Sequence, residues 1–233
     1  MGAHGGGEDG PTGGGNQVPR RQALVAAAEL AYGALMASPK DSNRPERAAA
    51  ATRRVAAWLQ KNALEEPLRP PVRAASVQAL AKALGKPLPP ELVAMWQVHD
   101  GLPIFEYAGL GAAASRKMRA GLESLRKKGK FDDHEVFEQS TPRVKPVKWH
   151  EAWIPIAEDG CGNLYCIDLA PGRAGRVGQV IKWEVAGGPF TTGSADLATV
   201  LERYADALES GRFEYLADSG IYDGPYLDLL GDR

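Results

Sequence analysis

The residues of this chain that could do chemistry are two cysteines, four histidines and a scatter of carboxylates, and their spacing decides how much they could do. A thiol nucleophile would be Cys166, with His99 or His150 as its base, a pairing that requires spatial adjacency. Cys166 stands inside the apolar run Leu164-Tyr165-Cys166-Ile167, where a small buried residue is the expected occupant. Asp159 and Asp168 form a second pair; read locally, one is a turn former and the other a strand-end cap. His99-Asp100-Gly101 could be read as a base and its orienting carboxylate. Adjacent residues on a helix do not face each other, however, so polar capping followed by a left-handed glycine is the better reading. Cys161 and Cys166 lack the CxxC spacing of zinc sites and no histidine pairs with them, so no metal is expected. The glycines near 160 and 172 lack the lysine and the Ser/Thr of a phosphate-binding loop, and neither GxSxG nor HExxH occurs. These residues imply neither an enzyme nor a cofactor. A hydrolase using Cys166 or Asp168 is the weakest of the readings.

The elements that would position these residues follow from periodicity. Residues 46–62 place Val55, Trp58 and Leu59 on one helical stripe. A helix from Ser76 carries Val77, Leu80 and Leu84 on one face and stops at Gly85. Pro89-Pro90 opens a helix that ends at Gly101, and 111–128 is helical and basic toward its end. Pro103–Tyr107 has the composition of a short strand. Three β-prone runs then alternate with turn signals: Trp153–Ala157, Asn163–Leu169 and Val177–Glu184. Alternation puts Leu164, Cys166 and Asp168 on one face and Tyr165, Ile167 and Leu169 on the other, which describes a central strand. A last helix over 195–210 turns Leu197, Val200, Leu201, Tyr204 and Leu208 inward, with Ser194 as its expected N-cap.

Composition sets the outer bounds. With 233 residues, 44% of them hydrophobic and 24% charged, the chain has enough apolar material for one sizeable domain with appendages. No apolar run reaches the length of a membrane span, and two cysteines make no disulfide framework, so a reducing cytoplasm is the expected location. Residues 1–19 are Gly-rich and expected to be disordered. Net charge is only −1, but it is unevenly spread. Residues 1–149 carry 22 Lys/Arg against 15 Asp/Glu, whereas 150–233 carry 6 against 14. The acidic C-terminal part argues against nucleic acid and suits a basic partner. Lys127, Lys128 and Lys130, without interleaved aromatic residues, read as a solvated helix end.

The order of these pieces resembles one family. Leu84–Gly101 (LGKPLPPELVAMWQVHDG) is similar to the helix–LPP–helix–H-[DN]-G entry of the SUKH superfamily, which contains bacterial immunity proteins and a yeast regulator of cell-wall synthesis. GKFDD (129–133), Trp149 and Trp153 with WIPIAEDG, the LYCIDL strand and PG-x3-G-x-GQVI (171–181) follow in the family's order. Two positions depart from it: Asn163 and Ala170 stand where the family commonly has acidic residues. The resemblance implies an α+β fold, with helices packed on a mostly antiparallel β-sheet over 46–213. Residues 20–45 would be a helical extension and 214–233 an acidic, aromatic tail. It also implies a non-enzymatic protein-binding role. The first reading is an immunity protein that neutralises a toxin domain with a basic surface, without nucleic acid or membrane. The alternative is a regulatory or scaffolding module for an endogenous partner. The meander turns would then supply the partner-binding carboxylates, Glu158, Asp159 and Asp168.

Overall fold

The apolar stripe around Val55 forms a helix, α1 (Arg44–Asn62), with Ala48, Ala51, Val55, Ala56 and Leu59 buried along it. The computed structural model describes residues 43–62, 68–132, 142–191, 193, 195–216 and 220–222. The expected disordered tail, the helical extension up to residue 42 and the end beyond Tyr222 lie outside the described residues. Arg44 opens α1, and the compact unit that contains it begins at Asn43.

Three further helices follow: α2 (Ala74–Leu84), α3 (Pro90–Val98) and α4 (Ala112–Lys127). Gly85 ends α2 in the left-handed conformation (φ 76°), and its N–H reaches the Ala81 carbonyl, as a glycine C-cap does. Pro90 sits at the first turn of α3. The segment expected as a strand at 103–107 is instead a tight turn: Ile104 and Tyr107 pair with each other, and Phe105 takes a left-handed φ of 54°. The turn aims the Phe105 ring into the core, where it meets Tyr165, Tyr204 and Phe213 edge-on or tilted.

The sheet has five antiparallel strands in the order β1-β2-β3-β4-β5: Ala108–Gly109, Trp153–Glu158, Leu164–Asp168, Gln179–Glu184 and Gly188–Phe190. The expected meander is its centre. Register runs from Trp153↔Asp168 to Glu158↔Leu164, with a bulge between Pro155 and Ala157. Proline cannot donate to a ladder, and the bulge absorbs the mismatch. It also sends Ile154, Ile156 and Ala157 into the same core cluster. Gly109 lies so close to the 101–102 backbone that a Cβ there would come within 2.1 Å of the Leu102 carbonyl oxygen.

Both faces of the sheet are covered. Tyr165, Ile167 and Val180 pack into the main cluster with α1, α3 and α5 (Leu197–Glu209). Leu164, Cys166 and Ile181 pack into a second cluster with Leu122 of α4, Trp149, Trp153 and Trp183. All five inward residues expected of α5 are buried, but its cap is Asp196 rather than Ser194. The Asp196 carboxylate accepts the Thr199 N–H at 2.9 Å, three residues on, as an N-cap side chain does. A hairpin, β6 (Glu214–Leu216) with β7 (Gly220–Tyr222), follows α5 and occupies the start of what the sequence suggests is a tail.

Candidate functional site

The three carboxylates expected to bind a partner separate into three environments. β3 carries Asp168 at one end, and the turn holding Asp159 lies at the other. Asp168 is fully buried. One of its oxygens accepts from the indole Nε1 of Trp153 (2.9 Å) and the Ala170 N–H (2.8 Å); the other accepts from Nε2 of Gln179 (2.9 Å). Gln179 in turn donates to the Arg143 carbonyl and accepts the Arg176 N–H. Asp168 is therefore a structural node joining β2, β3, β4 and the flanking loops, and it is removed from the candidate surface. Burial pushes its carboxyl above the usual aspartate range, and the three hydrogen bonds only partly oppose that.

Asp159 closes the β2–β3 turn. Its carboxylate accepts from the N–H of Cys161 (2.8 Å), the N–H of Asn163 (2.9 Å) and the Asn163 side-chain amide (2.6 Å). Burial works to raise its pKa, but these donors outweigh it and hold the carboxyl below its ordinary value. Asn163 also accepts the Val185 N–H, so it ties this turn to the β4–β5 turn. A carboxylate at 163 could not donate to Asp159, which gives a physical reason for the asparagine at this position.

Glu158 is paired with Leu164 and so faces the second side of the sheet. It stands at the mouth of an apolar groove of about 640 Å³ along α4, floored by Leu110, Met118 and Leu122 and edged by Leu125. On the opposite side of the same sheet end, burial pushes the Tyr107 phenol well above its ordinary range, and the charges of Asp159, Glu106, Glu184 and Cys161 add to the effect. The Glu106 carboxyl is raised, first by burial, with Lys182 opposing. Lys182 pairs with Glu184 at 3.3 Å and lies 5.8 Å from the centre of the Tyr107 ring. The turn end of the sheet thus gathers four carboxylates, of which the sequence singled out two. Glu106 and Glu184 were missed because each is remote from the meander turn in the chain or pairs locally with a lysine.

The groups weighed for catalysis are spent otherwise. Cys166 is completely buried, and burial drives its thiol pKa well up, away from the reactive thiolate. His150 takes the Ala152 N–H on Nδ1 and meets Lys145 at Nε2. Burial and neighbouring cations lower its pKa, with Glu151 opposing. His99 contacts the Arg69 carbonyl, and the Asp100 carboxylate accepts the Ala112 N–H, capping α4 rather than its own helix. Among the described residues no cluster of His, Cys, Asp or Glu is placed to hold a metal ion, and no helix is long and apolar enough to cross a membrane.

The SMI1/KNR4 family (SUKH-1) matches residues 71–207, more than half of the chain. The "KNR4/SMI1 homolog 2" of Debaryomyces hansenii is 35% identical over 88 residues, 36% of this chain and 14% of that protein. The "Cell wall assembly regulator SMI1" of Saccharomyces cerevisiae is 35% identical over 82 residues, covering 34% of this chain and 16% of its own length. The "Cell wall biosynthesis/cell cycle regulator smi1" of Schizosaccharomyces pombe is 36% identical over 99 residues, 39% of this chain and 20% of that protein. The chain thus matches a fifth or less of the length of these relatives. With its helix–LPP–helix entry, its two tryptophans and its five-stranded meander all in place, the chain belongs to the SMI1/KNR4 family, SUKH-1.

Proposed function

We propose that this chain is a non-enzymatic protein-binding module that regulates or scaffolds an endogenous partner, acting in a reducing cytoplasm. The observation that carries the reading is the family membership, with two relatives named as regulators of cell-wall assembly or biosynthesis. The two free thiols fit the location. The contact surface we assign is the turn end of the sheet, where Glu158 and Glu184 are part-exposed on a rigid frame and Asp159 holds the turn in shape. Carboxylates displayed on a rigid element favour a basic partner surface, speed its association and make it salt-sensitive. Immunity against a toxin would use the same surface. It rests on the family resemblance alone, and the named relatives favour regulation.

The test is capture of partners from native lysate by the full chain and by a Glu158→Lys/Glu184→Lys variant, followed by binding kinetics with the captured protein. Asp159 is left intact because its loss would disturb the turn itself. The expected result is a captured regulatory protein whose association slows in the variant and in salt. Equal association of parent and variant at low salt would remove the acidic end from the interface. Capture of a secreted or polymorphic toxin would return the reading to immunity.

A further inference from the structure

We propose that the groove between the C-terminal ends of α2 and α4 is a second docking surface, one that takes an acidic segment of a protein partner. It lies apart from the acidic turn end and does not depend on it. The groove measures about 680 Å³. One wall is the end of α2, with Lys82 and Lys86; the other is the end of α4, with Lys127 and Lys128. Lysine in the last turn of a helix complements the helix dipole, which accounts for Lys82 and Lys127 taken alone. It does not account for two such ends brought to face each other across one groove.

The fold imposes that juxtaposition. Arg119 of α4 is nearly buried, with its Nε and Nη2 donating to the Glu151 carbonyl and its Nη1 to the Ala83 carbonyl. It therefore clamps the end of α2 and the lead into β2 onto α4. Its own charge is consumed in this role, and the cations left over are the lysines. Lys127 shares Glu123 with Arg126, which also approaches Glu151 at 3.5 Å. Among the described residues no carboxylate pairs with Lys82, Lys86 or Lys128. The groove sets four lysines against two carboxylates, Glu123 and Glu151, and an anionic ligand offsets that excess of positive charge.

The floor specifies the kind of anion. Ala83, Leu84, Ala120 and Ala152 line it, so small apolar side chains leave room for a backbone to lie close. Among the described residues no aromatic side chain lines the groove, so bases would have no stacking platform. Glu123 and Glu151 also line the groove, where a continuous phosphate backbone would meet like charge. Spaced carboxylates alternating with small apolar residues fit walls of lysine over a floor of alanine and leucine. The sequence presents Lys127 and Lys128 as a solvated helix end; Lys82 and Lys86 come to them from some 40 residues away.

The experiment is a fluorescence anisotropy titration of the full chain with a fluorescein-labelled peptide in which glutamates alternate with leucine and alanine. A control peptide carries glutamine for every glutamate. The expected result is saturable, salt-sensitive binding of the glutamate peptide, weakened about tenfold in Lys82→Glu/Lys86→Glu and less in Lys128→Gln. Circular dichroism and melting should be unchanged, because these lysines are exposed. Glu158→Lys/Glu184→Lys should bind the peptide like the parent, which separates this surface from the acidic end. Absence of binding by the parent, equal binding of both peptides, or unchanged binding in Lys82→Glu/Lys86→Glu would overturn the proposal. Tighter, lysine-dependent binding of single-stranded DNA would also overturn it, as would a self-association that Lys82→Glu/Lys86→Glu abolishes.

Discussion

Trp149, Trp153 and Trp183 form a T-shaped stack, with ring centroids 5.6 Å and 5.8 Å apart, yet their polar handles differ. The Trp153 indole donates to Asp168 and the Trp183 indole to the Lys148 carbonyl, whereas the buried Trp149 Nε1 has no partner. Trp153→Phe should therefore cost about 1–3 kcal/mol more than Trp149→Phe, because it strips a donor from a buried carboxylate. Chemical denaturation of both variants checks this. Trp153→Ala should cost about 3–5 kcal/mol as a large core truncation. Asp168 predicts a pH effect of defined sign. Its folded pKa is raised, so above about pH 4 the unfolded chain loses its proton first. Its stabilising contribution is complete below that range and declines as pH rises through the folded pKa. The unfolding free energy of the parent relative to Asp168→Asn should fall across that window; a rise would mean that the hydrogen bonds outweigh desolvation.

At the scale of elements, helix starts are decided by carboxylates from unequal distances. Asp196 caps its own helix α5, while Asp100 reaches twelve residues along the chain to the first N–H of α4, whose own N-cap position is Gly111. Asp196→Ala and Asp100→Ala should each lower stability by about 1 kcal/mol in urea titrations. Gly111 is fitted to that contact, since a Cβ there would lie 2.2 Å from the Asp100 carboxylate. α1 and α5 are joined outside the core by Arg47 to Glu202, whose two oxygens both accept from its guanidinium. Such part-exposed pairs add little to stability; the apolar stripe beneath them supplies the association.

At the scale of the whole molecule, the family match begins at residue 71, but the core does not. Val55 and Leu59 of α1 are buried against α3 and α5, and each is worth about 1.5–3 kcal/mol of burial. A fragment spanning 43–213 should therefore unfold cooperatively by calorimetry, and one spanning 71–213 should not. If the shorter piece melted as sharply as the longer, α1 would be an accessory. Charge is also organised at this scale. The acidic turn end comes from the meander and the Glu106 turn, and the basic groove from α2 and α4, which matches the basic first part and acidic last part of the chain.

Periodicity by itself determined the helices, the three central strands and the two-faced burial of Leu164–Asp168, because local spacing of apolar residues dictates which side of an element is withdrawn from water. The order of motifs determined the family. Tertiary structure alone decided the fate of the carboxylates: Asp159 and Asp168 look alike in the chain, but one takes its donors from its own half-buried turn and the other is fully buried with donors from neighbouring strands. Their donors, Trp153 and Gln179 for Asp168, come from other strands, and no local pattern encodes such pairing. The turn at Phe105, the distant cap from Asp100 and the facing of Lys82 and Lys86 with Lys127 and Lys128 were hidden for the same reason. Each depends on how separate elements pack, and packing is set by the sum of contacts across the molecule rather than by neighbours in sequence.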